Sequence, residues 1–123
     1  MYTIRADVGK NRLYVKLAGF FDYNELKAST DKSIEEVKKL KPGFDVINDV
    51  SEFKPANQDI LKEIERVQVH LKKVGVRHVV RVQGDSKLTN LQFSRIGKAV
   101  DYVAEAVDTM EDAEKLLDSY GSQ

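Results

Sequence analysis

The chain has no cysteine. Disulfides and thiolate metal sites are therefore excluded, and nothing points to an oxidising compartment. No apolar run approaches the ~20 residues of a membrane span. No glycine-rich phosphate loop is present, because the seven glycines stand apart from one another. Charge of one sign is not in excess: 20 Lys and Arg balance 20 Asp and Glu. The opening residues, Met1-Tyr2-Thr3-Ile4-Arg5-Ala6-Asp7, read as a strand and lack a signal-peptide apolar region. A cytoplasmic protein is the expectation.

What is present is the composition of one globular domain. The chain has 123 residues, 41% hydrophobic and 33% charged, which suits a single core without staples. Residues 1–120 are expected to form that domain, and 121–123 a short tail. Charge is unevenly spread: residues 62–98 hold nine Lys or Arg and three acids, and 99–123 hold seven acids and one Lys. A basic surface for an anion or an acidic partner is one reading. The favoured one is that the acidic C-terminal segment packs near the basic stretch and cancels it. Phe93 is the only Phe, Tyr or Trp in that stretch, too little stacking surface for a nucleic-acid partner.

Periodicity supplies the elements. Residues 2–7 and 12–18 read as two strands joined by a turn at Gly9 and Asn11; Leu13, Val15 and Leu17 alternate with Arg12, Tyr14 and Lys16. Asp22 and Glu25 are spaced like a capping box, and a helix runs to about residue 40 with Leu26, Thr30, Ile34 and Val37 on one face. Lys41-Pro42-Gly43 stops it. A buried strand is expected over 44–49, a helix over about 58–74 closed by Gly75, and a central strand over 76–83. A weaker helix follows at about 88–98, then a strand at about 101–107. A last helix is capped by Thr109, with Asp112 three residues on. Strands alternating with helices imply an α/β fold: a mixed, mostly parallel sheet with an N-terminal antiparallel hairpin and about four helices. A homodimer through edge pairing of the hairpin strand 13–17 is plausible, although Arg12 and Lys16 discourage it.

The segment Asp49-Val50-Ser51-Glu52-Phe53-Lys54-Pro55-Ala56-Asn57-Gln58-Asp59-Ile60-Leu61 places polar residues where a strand ends and a helix begins. In open α/β sheets, ligands and partners gather at that edge. The helix start also offers free N–H groups and a partial positive charge. Catalytic patterns are weak. Ser51 has Asp49 nearby, but no Gly-x-Ser-x-Gly elbow surrounds it. Asp49 with Glu52 or Asp59 are carboxylate pairs suited to acid–base work, yet acids at helix starts usually serve as caps. His70 and His78 have no Cys or spaced carboxylate pair to complete a metal site. The expectation is no enzyme, no metal and no cofactor.

Three segments resemble a known family. Leu13-Tyr14-Val15-Lys16-Leu17-Ala18-Gly19-Phe20-Phe21-Asp22 is similar to the opening strand and hydrophobic-x-Gly-x-hydrophobic-Asp turn of STAS domains. These are the domains of sulfate transporters and anti-sigma-factor antagonists. Val46-Ile47-Asn48-Asp49-Val50-Ser51 resembles their central strand, which ends in Asp-x-Ser. Thr109-Met110-Glu111-Asp112-Ala113 resembles their closing step. The resemblance covers almost the whole chain and is nearest to stand-alone bacterial proteins of the sporulation stage II AA type. In antagonist members, the helix after the central strand begins with Asp-Ser-Ser/Thr-Gly, and a partner kinase, which is also the anti-sigma factor, phosphorylates the second hydroxyl. Here Asn57-Gln58-Asp59-Ile60 occupies those places, so Asp59 stands at the phospho-acceptor position.

Two readings of Asp59 follow. Its permanent negative charge mimics a phosphorylated state, or it only stabilises the helix start, with Asn57 as the cap. Ser51, the nearest hydroxyl, is a poor substitute acceptor at the strand end. What the resemblance implies is a non-enzymatic signalling module. It binds a protein partner, such as a kinase-like anti-sigma factor or another regulator, through Ser51, Phe53, Lys54, Asn57, Gln58 and Asp59. The alternative is a carrier for a small or lipid-like ligand, with Phe20, Phe21, Tyr23 and Phe53 at a pocket mouth.

Overall fold

A computed structural model of the chain describes residues 1–54 and 57–121. Nine elements follow in order: β1 (Tyr2–Asp7), β2 (Arg12–Gly19), α1 (Tyr23–Val37), β3 (Asp45–Phe53), α2 (Gln58–Lys73), β4 (Val79–Val82), α3 (Lys87–Ala99), β5 (Glu105–Val107) and α4 (Met110–Ser119). The strands form one sheet in the order β1-β2-β3-β4-β5; β1 and β2 are antiparallel and the other pairs parallel. This is the expected α/β class with its antiparallel hairpin. β3 holds the middle of the sheet, and β4, expected there, lies beside it with all four residues buried. β2 lies between β1 and β3, so the strand proposed for edge pairing has no free edge; the edges are β1 and β5. No described helix is long and apolar enough to cross a membrane.

The three crossovers step one strand at a time in one direction. Connections of a single hand that step one way place their helices on one face. α1, α2 and α3 share that face, where Leu17, Leu26, Val50, Ile60, Ile64 and Phe93 pack together. α4 follows the edge strand and closes the other face, burying Ala113 and Leu117 against Tyr14, Ile47, Val80 and Val82. The acidic C-terminal segment therefore lies mostly across the sheet from the basic stretch. Lys72–Asp101, at 3.3 Å, is the one ion pair joining the two among the described residues. α4 instead turns its acids on Arg12, which bonds Glu114 at 2.6 Å and Asp118 at 3.2 Å.

Local chemistry accounts for the boundaries. Asp22 Oδ1 accepts Glu25 N–H at 2.7 Å, and Thr109 Oγ1 accepts Asp112 N–H at 3.1 Å, the two caps anticipated. α2 ends in a Schellman motif: Gly75 N–H donates to Lys72 O and Val76 N–H to Leu71 O, with Gly75 at φ +102°. β3 departs most from expectation. It runs four residues past Asp49, because a bulge absorbs one extra residue: Lys16 pairs with Asp49, but Ala18 pairs with Glu52. The Asp49 carboxylate accepts both Ser51 N–H at 3.0 Å and Ser51 Oγ–H at 2.7 Å, satisfying the residue the bulge sets free. The extra residue also shifts the strand's phase, which turns Phe53 inward and leaves Glu52 to pair with Lys16 at 3.1 Å.

Candidate functional site

The residues expected to form a site fall into two groups. Lys54, Asn57, Gln58 and Asp59 are exposed at the end of β3 and the start of α2. Pro55 and Ala56, the middle of the expected loop, lie outside the described residues. Ser51 and Phe53 belong to the strand. Ser51 is half-buried and held by Asp49, and its carbonyl accepts the Ser86 hydroxyl at 2.8 Å. Phe53 is 2% exposed, with its ring centroid 5.3 Å from that of Phe21 and 5.7 Å from that of Phe93. It is a core residue and offers a partner no surface. Asn57 sits at the N-cap, but its side chain makes no capping bond; Ile60 N–H reaches its backbone carbonyl instead.

A neighbour completes this edge. Lys54 N–H donates to Gly19 O at 3.1 Å, which brings the Gly19–Phe20 turn alongside. Gly19 has φ +82°, a conformation a side chain resists, and the next ring, Phe20, stands 80% exposed. Of the loop aromatics expected at a pocket mouth, Phe20 points to solvent, Tyr23 is exposed on α1, and Phe21 packs on Phe53. The edge thus combines one exposed ring, a cation at Lys54 and a carboxylate at Asp59.

Ser51, Asp49 and the histidines do not come together as a catalytic group. His70 lies on α2, where burial first, and then Lys73, Lys38 and Arg66, hold its pKa below the usual imidazole value. His78 precedes β4 and stacks on Tyr120 with centroids 4.0 Å apart. Among the described residues no three His, Asp or Glu side chains group as a metal site.

A second polar region lies inside the fold. Asn48 on β3 and Arg81 on β4 are register partners and share the sheet face under α1, α2 and α3. Opposite them α1 carries Ser29, Thr30 and Ser33 and α2 carries Gln68, all buried. A cavity of about 30 Å³ is lined by Asn48, Ser29, Thr30, Ser33 and Gln68, but not Arg81, together with Leu17, Ile64, Phe93 and Tyr102, among others. Arg81 is 0% exposed and makes no ion pair among the described residues. Its Nη1 donates to Asn90 Oδ1 at 3.3 Å and Ser94 Oγ at 3.1 Å, while Nε and Nη2 have no hydrogen-bond partner among the described residues. Burial pushes its pKa down to about 10, so it stays cationic at neutral pH. Burial likewise pushes the Tyr102 phenol up to about 12. The sequence reading missed this region, although Arg81 stands alone in the run Val79-Val80-Arg81-Val82, a charge where both strand faces are buried.

The geometry defines a small α/β domain with a mixed polar and aromatic edge and a buried polar row. Comparison with known proteins matches the chain to no family model and to no curated protein.

Proposed function

We propose that this chain is a non-enzymatic regulatory module of the STAS-like kind, which binds a protein partner at the end of β3 and the start of α2. The observation that carries the reading is the exposed Phe20 ring, brought to the end of β3 by the bond from Lys54 N–H to Gly19 O, with Asn57, Gln58 and Asp59 exposed at the start of α2. Protein interfaces concentrate their affinity in a few aromatic or Arg anchors ringed by polar groups. Phe20 supplies the anchor, and the four polar side chains supply the rim. Ser51 supports the edge from below rather than contacting the partner, and Phe53 supports it from the core. Asp59 places a fixed negative charge in the first turn of α2, where the resembled antagonists carry a phosphorylatable hydroxyl. The partner class this implies is a kinase-like anti-sigma factor or another regulator that reads that charge.

The test is affinity capture from native lysate with three baits: the wild type, Phe20→Ala and Asp59→Lys. Melting curves confirm that each bait is folded. A protein held by the wild type should bind Phe20→Ala at least about 30-fold more weakly, the size of a 2 kcal/mol anchor. Asp59→Lys should lose it as well. Equal retention by all three baits would remove this edge from the interface.

A further inference from the structure

The acids of the C-terminal segment do not cancel the basic stretch, because α4 lies across the sheet from α2 and α3. Four cations of that stretch are engaged within the fold: Arg66 bonds Glu63 and Asp31, Lys72 bonds Asp101, Arg77 bonds Asp45, and Arg81 is buried. The others, Lys62 and Lys73 on α2 and Lys87, Arg95 and Lys98 on α3, are exposed and make no ion pair among the described residues. α1 is arranged differently. Lys27, Lys32, Lys38 and Lys39, on it and just past its end, each meet an acid three or four residues away. α3 carries no acid at all. Its solvent face, opposite the buried Phe93, presents Leu88, Leu91, Arg95 and Lys98 at steps of three and four residues. The two leucines are 60% and 58% exposed. α2 packs beside α3, and its outer face sets the exposed Val69 between Lys62 and Lys73. Of the α2 acids, Asp59 lies at the helix start, Glu63 is buried under Arg66, and Glu65 alone is exposed along its length.

We propose that the outer face of α2 and α3 docks on an anionic membrane surface. Aliphatic side chains set among unpaired cations are the make-up of a helix that lies in the plane of a bilayer: the cations meet lipid phosphates, and the aliphatic chains enter beside them. Nucleic acid would match the cations but would leave both leucines in water, and α3 offers it no exposed ring for stacking, since Phe93 is buried. A plane of mobile headgroups needs no fixed register, which suits charges spread along two adjacent helices. The chain has no net charge, so its attraction to a negative surface depends on turning this face towards it.

The face is separate from the partner-binding edge, and its test does not use that edge. The 123-residue chain is floated with vesicles of phosphatidylcholine alone, and with vesicles in which about one-third of the lipid is phosphatidylglycerol. The wild type should rise with the anionic vesicles and stay behind with the neutral ones. Raising the salt from about 0.1 M to about 0.5 M should release it. The double variant Arg95→Gln, Lys98→Gln should bind about 25-fold more weakly, about fivefold for each cation removed. Leu91→Ser leaves the charge unchanged and should bind about fivefold more weakly. Lys115→Gln, on α4 at the opposite face, also removes a cation and should bind like the wild type. All the substituted side chains are exposed, and melting curves confirm that each variant is folded. Failure of the wild type to float with the anionic vesicles overturns the proposal, and it does so equally if the same cations hold an acidic protein from lysate instead. Equal flotation with neutral vesicles, full binding by Leu91→Ser, or a loss in Lys115→Gln as large as that in the double variant would also overturn it.

Discussion

Glu36 is a buried acid on α1 whose partners come from two directions. Its Oε1 accepts the backbone N–H of Ala6 on β1 at 3.1 Å, and its Oε2 accepts from Lys39 at 2.7 Å, with Lys32 at 3.4 Å. Lys39 first, and then the Ala6 N–H, lower its pKa from 4.5 to about 2. A carboxylate whose folded pKa lies below its unfolded one adds stability above the unfolded value. That stability is lost as pH falls through the folded value. Glu36→Gln is therefore expected to unfold at lower urea than the wild type at pH 7. The gap should close between pH 4.5 and about 2. Urea midpoints for the two proteins across that range check this, and a gap that stays constant would show that the charge of Glu36 does not matter. The lysines it meets are half-exposed and screened, so the part-buried Ala6 N–H is expected to carry most of the effect. Single residues were the hardest to read in sequence. Phe53 looked like a loop aromatic, because its inward position depends on a bulge two residues earlier. Arg81 and Asn48 carry no inward signal in the sequence, because their strands are mostly buried on both faces, and such strands lack the alternation that marks a position as inward. On α1, the expected stripe of Leu26, Thr30, Ile34 and Val37 is displaced towards Ser29, Ser33 and Glu36, with Ile34 only half-buried. The two serines bond back to their own helix, Ser29 Oγ to Leu26 O at 2.7 Å and Ser33 Oγ to Ser29 O at 3.0 Å, so they can be buried without a partner across the core, whereas Thr30 Oγ1 donates across to Glu63 O of α2 at 3.4 Å.

Elements were more legible than residues, because each start and stop has a local cause. The hairpin, the Asp22 and Thr109 caps and the Gly75 stop depend on neighbours within a few positions, and all are found. The end of β3 depends on a pairing across to β2 and was not visible locally. The helix starts allow a direct comparison. Thr109 accepts Asp112 N–H, whereas the Asn57 side chain caps nothing. Thr109→Ala is expected to cost about 1 kcal/mol, within the 0.5–2 kcal/mol range for a lost cap. Asn57→Ala is expected to cost only a few tenths, since both residues leave the same backbone carbonyl in place. Chemical denaturation of the two variants measures this. Equal losses would mean that the Asn57 side chain caps α2 in solution. The same comparison bears on Asp59: with no cap at Asn57, its carboxylate is the main favourable charge at the start of α2.

At the scale of the whole molecule, the question is what holds α4 to a sheet whose other three helices lie opposite. Part of the answer is apolar, Ala113 and Leu117 against Ile47, Val80 and Val82. The rest is a clasp that joins the two ends of the chain. Glu114 on α4 accepts from Arg12 Nη1 at 2.6 Å and from the Tyr14 hydroxyl at 2.8 Å, across about a hundred residues of sequence. Arg12 is only 5% exposed, so its charge cannot return to water if the clasp is opened. The removal of Glu114 leaves Arg12 with Asp118 alone, and the Tyr14 hydroxyl without its acceptor. Breaking a buried pair in this way costs about 3–5 kcal/mol, and the Glu114 carboxylate is partly exposed, which sets the expectation for Glu114→Ala at the lower end. Glu114→Gln keeps an acceptor for Tyr14 and should recover part of the loss. Hydrogen exchange separates the clasp from a general loosening. Amides of α4 should exchange much faster in Glu114→Ala, while those of β3 and α2 change only in step with global stability. Exchange that rises equally in all the elements would mean that α4 does not open apart from the rest, and that the apolar contact, not the clasp, holds it to the sheet.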